Sequence, residues 1–186
     1  MSAESVLDFW FGPEAGKPRP EWFRKDEAFD AQIRERFGAV HEAASRRELE
    51  AWREEPRSML ALVIVLDQFS RNLFRGEARA FAQDAHALEC ANQALARGDD
   101  RAMLPVQRQF LYLPYEHSES LADQVKGEEL MRGLDGFEET RGISEWAVKH
   151  RVIIERFGRF PHRNAALGRV STPEEVEFLK LPGSGF

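Results

Sequence analysis

Eight consecutive apolar residues, Met59 to Leu66, run directly into the polar segment Asp67-Gln68-Phe69-Ser70-Arg71-Asn72. Such a run is far short of the about 20 residues that span a bilayer. Periodicity alone cannot tell a buried strand from a buried helix over so few residues. The continuation decides it: Leu62, Leu66, Phe69 and Leu73 keep helical spacing, and Gly76 supplies a stop. The reading is a central helix within Arg57 to Arg75, apolar nearly all round in its first half. Asp67 and Arg71 then lie one turn apart on one face.

The rest of the chain repeats the helical pattern. Val6 to Phe11 is apolar and closed by Gly12-Pro13, and Gly12 to Pro20 is a loop with three prolines and two glycines. Asp26 can cap a helix whose face is Phe29, Ile33, Phe37, Val40 and Ala44. Leu49 and Trp52 fall on a short turn before Pro56. Ala78 to Arg97 reads as a helix ended by Gly98. Pro105 opens a short helix that Pro114 limits. Ser120 with Asp123 marks the start of another, and Ile143 to Phe157 is a long one stopped by Gly158. Thr172-Pro173-Glu174-Glu175 is a capped helix start, and Pro182 to Gly185 is expected to be a mobile tail. No alternating strand pattern occurs. Loops are short, so consecutive helices should pair antiparallel. The expectation is an all-α chain, one domain over residues 1–186, of about six to eight helices packed as antiparallel pairs.

Charge and composition narrow the function. A net charge of −6 argues against a nucleic-acid binder, which presents a basic footprint. Cys90 is the only cysteine, so no internal disulfide can form, as suits a reducing compartment. Glu4 and Asp8 stand where a signal peptide would be basic. The chain is read as cytoplasmic, with neither a membrane nor a nucleic-acid partner.

Three polar segments interrupt the helical background. In the first, Asp67 can orient Arg71, whose planar donor fork suits a carboxylate or phosphate, with Asn72 beside it; the plainer alternative is an ion pair within one helix. In the second, Tyr112 to Glu119, His117 lies between acids and could act as a general acid or base, and Glu119 is a candidate ligand contact. Capping of a helix-to-helix turn is the plainer account there. The third is the densest. From Lys149 to Arg169 there are six cations and one acid, and Gly158 and Pro161 shape a turn carrying Arg159, His162, Arg163 and Asn164. Crowded cations need acids from other helices or a bound anion. No HExxH, zinc-spaced Cys/His pair, P-loop, GxGxxG or GxSxG is present, so no metal and no cofactor are expected. The tryptophans read as packing residues.

Val6-Leu-Asp-Phe-Trp-Phe11, Leu66-Asp-Gln-Phe-Ser-Arg-Asn72, Tyr112-Leu-Pro-Tyr-Glu-His-Ser-Glu119 and Arg156-Phe-Gly-Arg-Phe-Pro-His-Arg-Asn164 together resemble the bacterial domain-of-unknown-function family 924 over nearly the whole chain. The resemblance implies an all-α domain with tetratricopeptide-like helix pairs and implies no activity. Its pattern maps onto Asp67, Arg71, Asn72, His117, Glu119, Arg159, His162, Arg163, Asn164 and Arg169.

The functional expectation is a pocket for a small anionic molecule where these segments converge. Arg71, Arg159 and Arg163 would hold the anion, aided by Asp67, Asn72, Glu119, Asn164 and Arg169. His117 or His162 would exchange a proton if chemistry occurs. The rival is a scaffold for a protein partner, with exposed aromatics such as Trp22 and Trp52 as anchors. A third account makes the polar motifs caps and cross-links between helices.

Overall fold

Four helices of this chain begin where a short polar side chain, Ser2, Asp26, Ser120 or Thr172, takes up free backbone N–H groups of the first turn. In the computed structural model, which describes residues 1–185, Ser2 accepts from the Ser5 backbone at the head of α1 (Ala3–Phe11). Asp26 accepts from Ala28 and Phe29 at the head of α2 (Glu27–Ser45). Further on come α3 (Pro56–Ile64), α4 (Ser70–Leu73), α5 (Asp84–Arg97), α6 (Pro105–His117), α7 (Leu121–Arg132) and α8 (Ser144–Phe157). Thr172 and Glu175 close a reciprocal capping box on α9 (Pro173–Leu179). Gly98 and Gly158 end α5 and α8 in the left-handed region, at φ of 75° and 67°, where a Cβ would be strained. No strand occurs among the described residues, and each of α5, α6 and α7 packs on the next helix.

Four local expectations are corrected. The central helix is not uniform: a π-helical segment, Val65–Phe69, joins α3 to α4 without a break. All five of its residues are buried. Widening a turn by one residue leaves no mark where it begins, inside a run that is apolar nearly all round. Next, α6 does not stop at Pro114 but runs through it to His117. Proline removes one ladder hydrogen bond at about 3 kcal/mol, but α6 is packed against α3, α5 and α7, and burial of Leu113 and Tyr115 opposes that penalty. This extension sets Glu116 and His117 on rigid backbone. The α5 helix starts at Asp84 rather than Ala78, after a 3₁₀ turn over Ala78–Ala80. Finally, the tail is docked: Ser184 is buried and donates to the Leu179 carbonyl at 3.1 Å.

The core is aromatic. Trp10 lies 5.4 to 6.1 Å, ring centre to ring centre, from Phe110, Phe69 and Trp22. Trp22 is therefore buried, not the surface anchor that a scaffold would use. Its indole N–H and the Arg19 guanidinium both donate to the Trp10 carbonyl, at 2.9 and 2.8 Å, closing the last turn of α1. A smaller apolar cluster, Ile153, Ile154 and Phe160 with Phe157 and Phe178, sits at the C-terminal end of α8.

The approach of α7 to α6 depends on Gly127. A Cβ placed there would come within 2.9 Å of the Tyr115 Cβ. Gly127→Ala should therefore destabilise the protein by about 1–3 kcal/mol, overpacking exceeding the up to about 1 kcal/mol of helix propensity it gains. Equilibrium denaturation in urea checks this, and an unchanged or raised stability would mean that the helices separate freely.

Candidate functional site

Asp67 sits in the π-helical segment with no solvent exposure. A buried carboxylate must be matched by donors, and this one is. Gln68 Nε2 donates to Oδ2 at 2.6 Å, Arg71 Nη1 to Oδ1 at 3.1 Å, and His117 Nδ1 lies 2.7 Å from Oδ1. Arg71 Nη1 also donates to the Asp67 carbonyl at 2.9 Å. Burial alone would raise the carboxyl, but the Arg71 charge and the His117 contact outweigh it and hold it well below the usual range. Asp67 is thus an anion at neutral pH.

His117 is its complement. Burial and the Arg71 charge depress the imidazole below its usual value, so it is neutral. With an anionic acceptor on Nδ1, the proton must sit there and Nε2 is the bare nitrogen. Nε2 makes no hydrogen bond among the described residues, and the side chain keeps 13% exposure.

Two guanidiniums meet beside this pair. Arg71 grips both oxygens of Asp84, at 2.9 and 3.1 Å. Arg163 reaches the same carboxylate at 3.2 Å. The Arg163 guanidinium lies over the Phe160 and Phe81 rings, at 4.5 and 4.7 Å from their centres. Its burial, and then Arg71, push it down to about 10.

Behind His117 is a second histidine–acid pair. The His150 ring centre is 6.3 Å from that of His117. His150 Nδ1 lies 2.8 Å from the Trp146 carbonyl and 3.5 Å from Glu116 Oε2. Glu116 is pushed up to about 8, by burial and then by the Asp67 charge, and burial drops His150 to about 3. The two therefore face each other uncharged rather than as an ion pair. His162 is also neutral, lowered to about 4 by burial and then by Arg163.

The structure brings Asp67, Arg71, His117 and Arg163 together, with His162 adjacent to Arg163 in the chain. The other expected residues go elsewhere. Arg159 turns to Glu175, at 2.6 and 2.7 Å, and does not join Arg71 and Arg163. Asn164 bridges Glu175 to Arg169, and Arg169 is forked onto Glu119 at 2.7 and 3.0 Å. This chain of bonds laces α9 to the 161–163 turn and to the start of α7. Asn72 donates to Asp30 on α2 at 2.7 Å. Asp84 and Glu116 were not singled out in the sequence; only the tertiary structure sets Asp84 between two arginines. Among the described residues no group of three His, Cys, Asp or Glu is placed to hold a metal ion. Cavities of about 410 and 570 Å³ open elsewhere, beside Phe9, Arg19 and Arg36 and beside Asn92, Leu95 and Lys126.

Residues 6–183 match the model of a family described as bacterial protein of unknown function (DUF924). A solved structure, that of the protein of unknown function ATU0120 from Agrobacterium tumefaciens, is 44% identical over 96% of each chain, with a TM-score of 0.83. No curated protein matches. No helix among the described residues is long and apolar enough to cross a membrane.

Proposed function

The chain belongs to the DUF924 family, whose description assigns no activity, and from its geometry we propose that it is an acid–base catalyst acting on a small anionic molecule. One observation carries this: a carboxylate with no exposure holds Nδ1 of a partly exposed histidine at 2.7 Å and leaves the other nitrogen bare. That arrangement suits a general base, oriented by a buried acid and uncharged at neutral pH. A π-helical segment at Asp67 supports it, because such segments are rare and frequently occur at functional sites. In this reading His117 takes the proton, Asp67 positions it, and Arg71 and Arg163 attract the anion. His162 is the second proton-exchanging group.

A different observation favours a second reading, in which the polar motifs only lock helices together. Arg71, Arg159, Arg163 and Arg169 each already contact an acid. Under that reading the surface would meet a protein partner through exposed side chains such as Trp146, Val125 and Leu121.

A turnover screen over small phosphate and carboxylate esters separates the two. The acid–base reading expects an activity that falls about 10²- to 10⁴-fold in His117→Ala while the fold is kept. Turnover that survives in His117→Ala, or no turnover on any anionic ester, contradicts it.

A further inference from the structure

We propose that Asp84 is a displaceable internal counter-ion, its carboxylate filling the seat in which Arg71 and Arg163 take a ligand's carboxylate or phosphoryl group. This rests on the acid–base reading of the same site and gives that reading a ligand class.

The contact has the form of ligand recognition. Arg71 presents two donors to two oxygens of one planar anion, and Arg163 adds a third from another part of the chain. A guanidinium fork holds a free carboxylate or a phosphoryl group in the same way. The two acids on Arg71 are not equivalent. Asp67 is sealed in and held by Gln68, His117 and Arg71. Asp84 keeps 16% side-chain exposure and is the first residue of α5, after the turns that follow α4. Once displaced it would enter water at a helix N-terminus, where a negative charge is favoured. Swinging it out disturbs one end of one helix and leaves the Asp67–His117 pair intact.

Arg163 supplies an independent sign that the seat is incomplete. Only 6% of the residue is exposed, yet its Nε has no hydrogen-bond partner among the described residues. A guanidinium carries five N–H donors, and among the described residues this one makes a single hydrogen bond, 3.2 Å to Asp84. A buried donor without an acceptor is unfavourable. A ligand oxyanion can offer the acceptors that one shared carboxylate does not. Because Arg71 also binds Asp67, an anion in this seat would lie beside the acid that orients His117.

The test compares binding of inorganic phosphate and of acetate to the wild type, to Asp84→Asn, and to Asp84→Asn combined with Arg163→Gln, by calorimetry on proteins checked for helicity. Removing the competing carboxylate should tighten binding roughly 10- to 100-fold, the factor expected when a charge-assisted bond no longer competes. Adding Arg163→Gln should reverse the gain. A gain for acetate as well as phosphate marks a carboxylate seat, and a gain for phosphate alone marks a phosphoryl seat. A folded Asp84→Asn protein that binds neither anion more tightly than the wild type overturns the proposal. Should that variant fail to fold, the wild type is titrated with phosphate and followed by nuclear magnetic resonance. Saturable shifts at Asp84 and His117 support the seat, and their absence up to about 100 mM, where even a millimolar site would fill, overturns it. The gain in affinity needs no proton transfer, so it stands or falls separately from the turnover of His117→Ala.

Discussion

Asp67→Ala will lower the stability of the folded chain by about 3–5 kcal/mol, the loss that follows when one member of a buried charged network is removed. The carboxylate has no exposure and satisfies three side chains at once. Without it, Gln68 and His117 lose their acceptor, and Arg71 keeps Asp84 and the backbone carbonyl of residue 67. Arg71 retains some contact with water through its 20% side-chain exposure, which places the expected loss toward the lower end. For a chain of this length, a 3 kcal/mol loss corresponds to a fall in Tm of roughly 6–12 °C. Urea denaturation with matched slopes reads it directly. A loss below about 1 kcal/mol would show that Asp67 contributes no more than a surface ion pair does.

Glu116→Gln should do the opposite, and its effect should depend on pH. Glu116 is raised from 4.5 to about 8 by burial and by the Asp67 charge. Between those values the unfolded chain releases the proton and the folded chain keeps it, so this group weakens the fold as pH rises. The full displacement is worth about 4–5 kcal/mol at about 1.4 kcal/mol per unit. An amide of the same shape has no proton to release. The variant should match the wild type near about pH 4.5 and exceed it by a few kcal/mol near about pH 8.5. Comparing the variant with the wild type at each pH is essential, because the histidines act in the other direction. His41, His86, His117, His150 and His162 are all depressed, chiefly by burial. Their contribution is present above about pH 6.5 and is lost as pH falls below it. A difference between variant and wild type that stays constant with pH would mean that Glu116 is ionised in the fold.

Much of the architecture was legible because the capping residues speak locally. Asp26, Ser120 and Thr172 each start a helix, and Gly12, Gly98 and Gly158 each end one. What local pattern could not show was decided by packing. Pro114 should break a helix, but burial on both sides carries α6 through it. The π-helical segment begins inside the apolar run Met59 to Leu66, where no periodicity records the extra residue. The site divides in the same way. Asp67 and Arg71 are one turn apart and were readable as a pair, and His117 was singled out by its acidic neighbours. The clustering of cations from Lys149 to Arg169 was real but uninformative about destination. Arg163 faces Asp84, whereas Arg159 and Arg169 are taken up by Glu175 and Glu119. Those partners are separated by up to 79 positions in sequence, beyond the reach of any motif.

The catalytic reading depends on the charge state of one ring, and nitrogen-15 resonance of the His117 imidazole at about pH 7 reports it, because the two nitrogens differ in shift when only one is protonated. The expected result is a protonated Nδ1 that loses its low-field proton signal in Asp67→Ala, together with an unprotonated Nε2. A proton on Nε2, in either the other tautomer or the imidazolium, would leave no base at the nitrogen turned away from Asp67 and would contradict the general-base role.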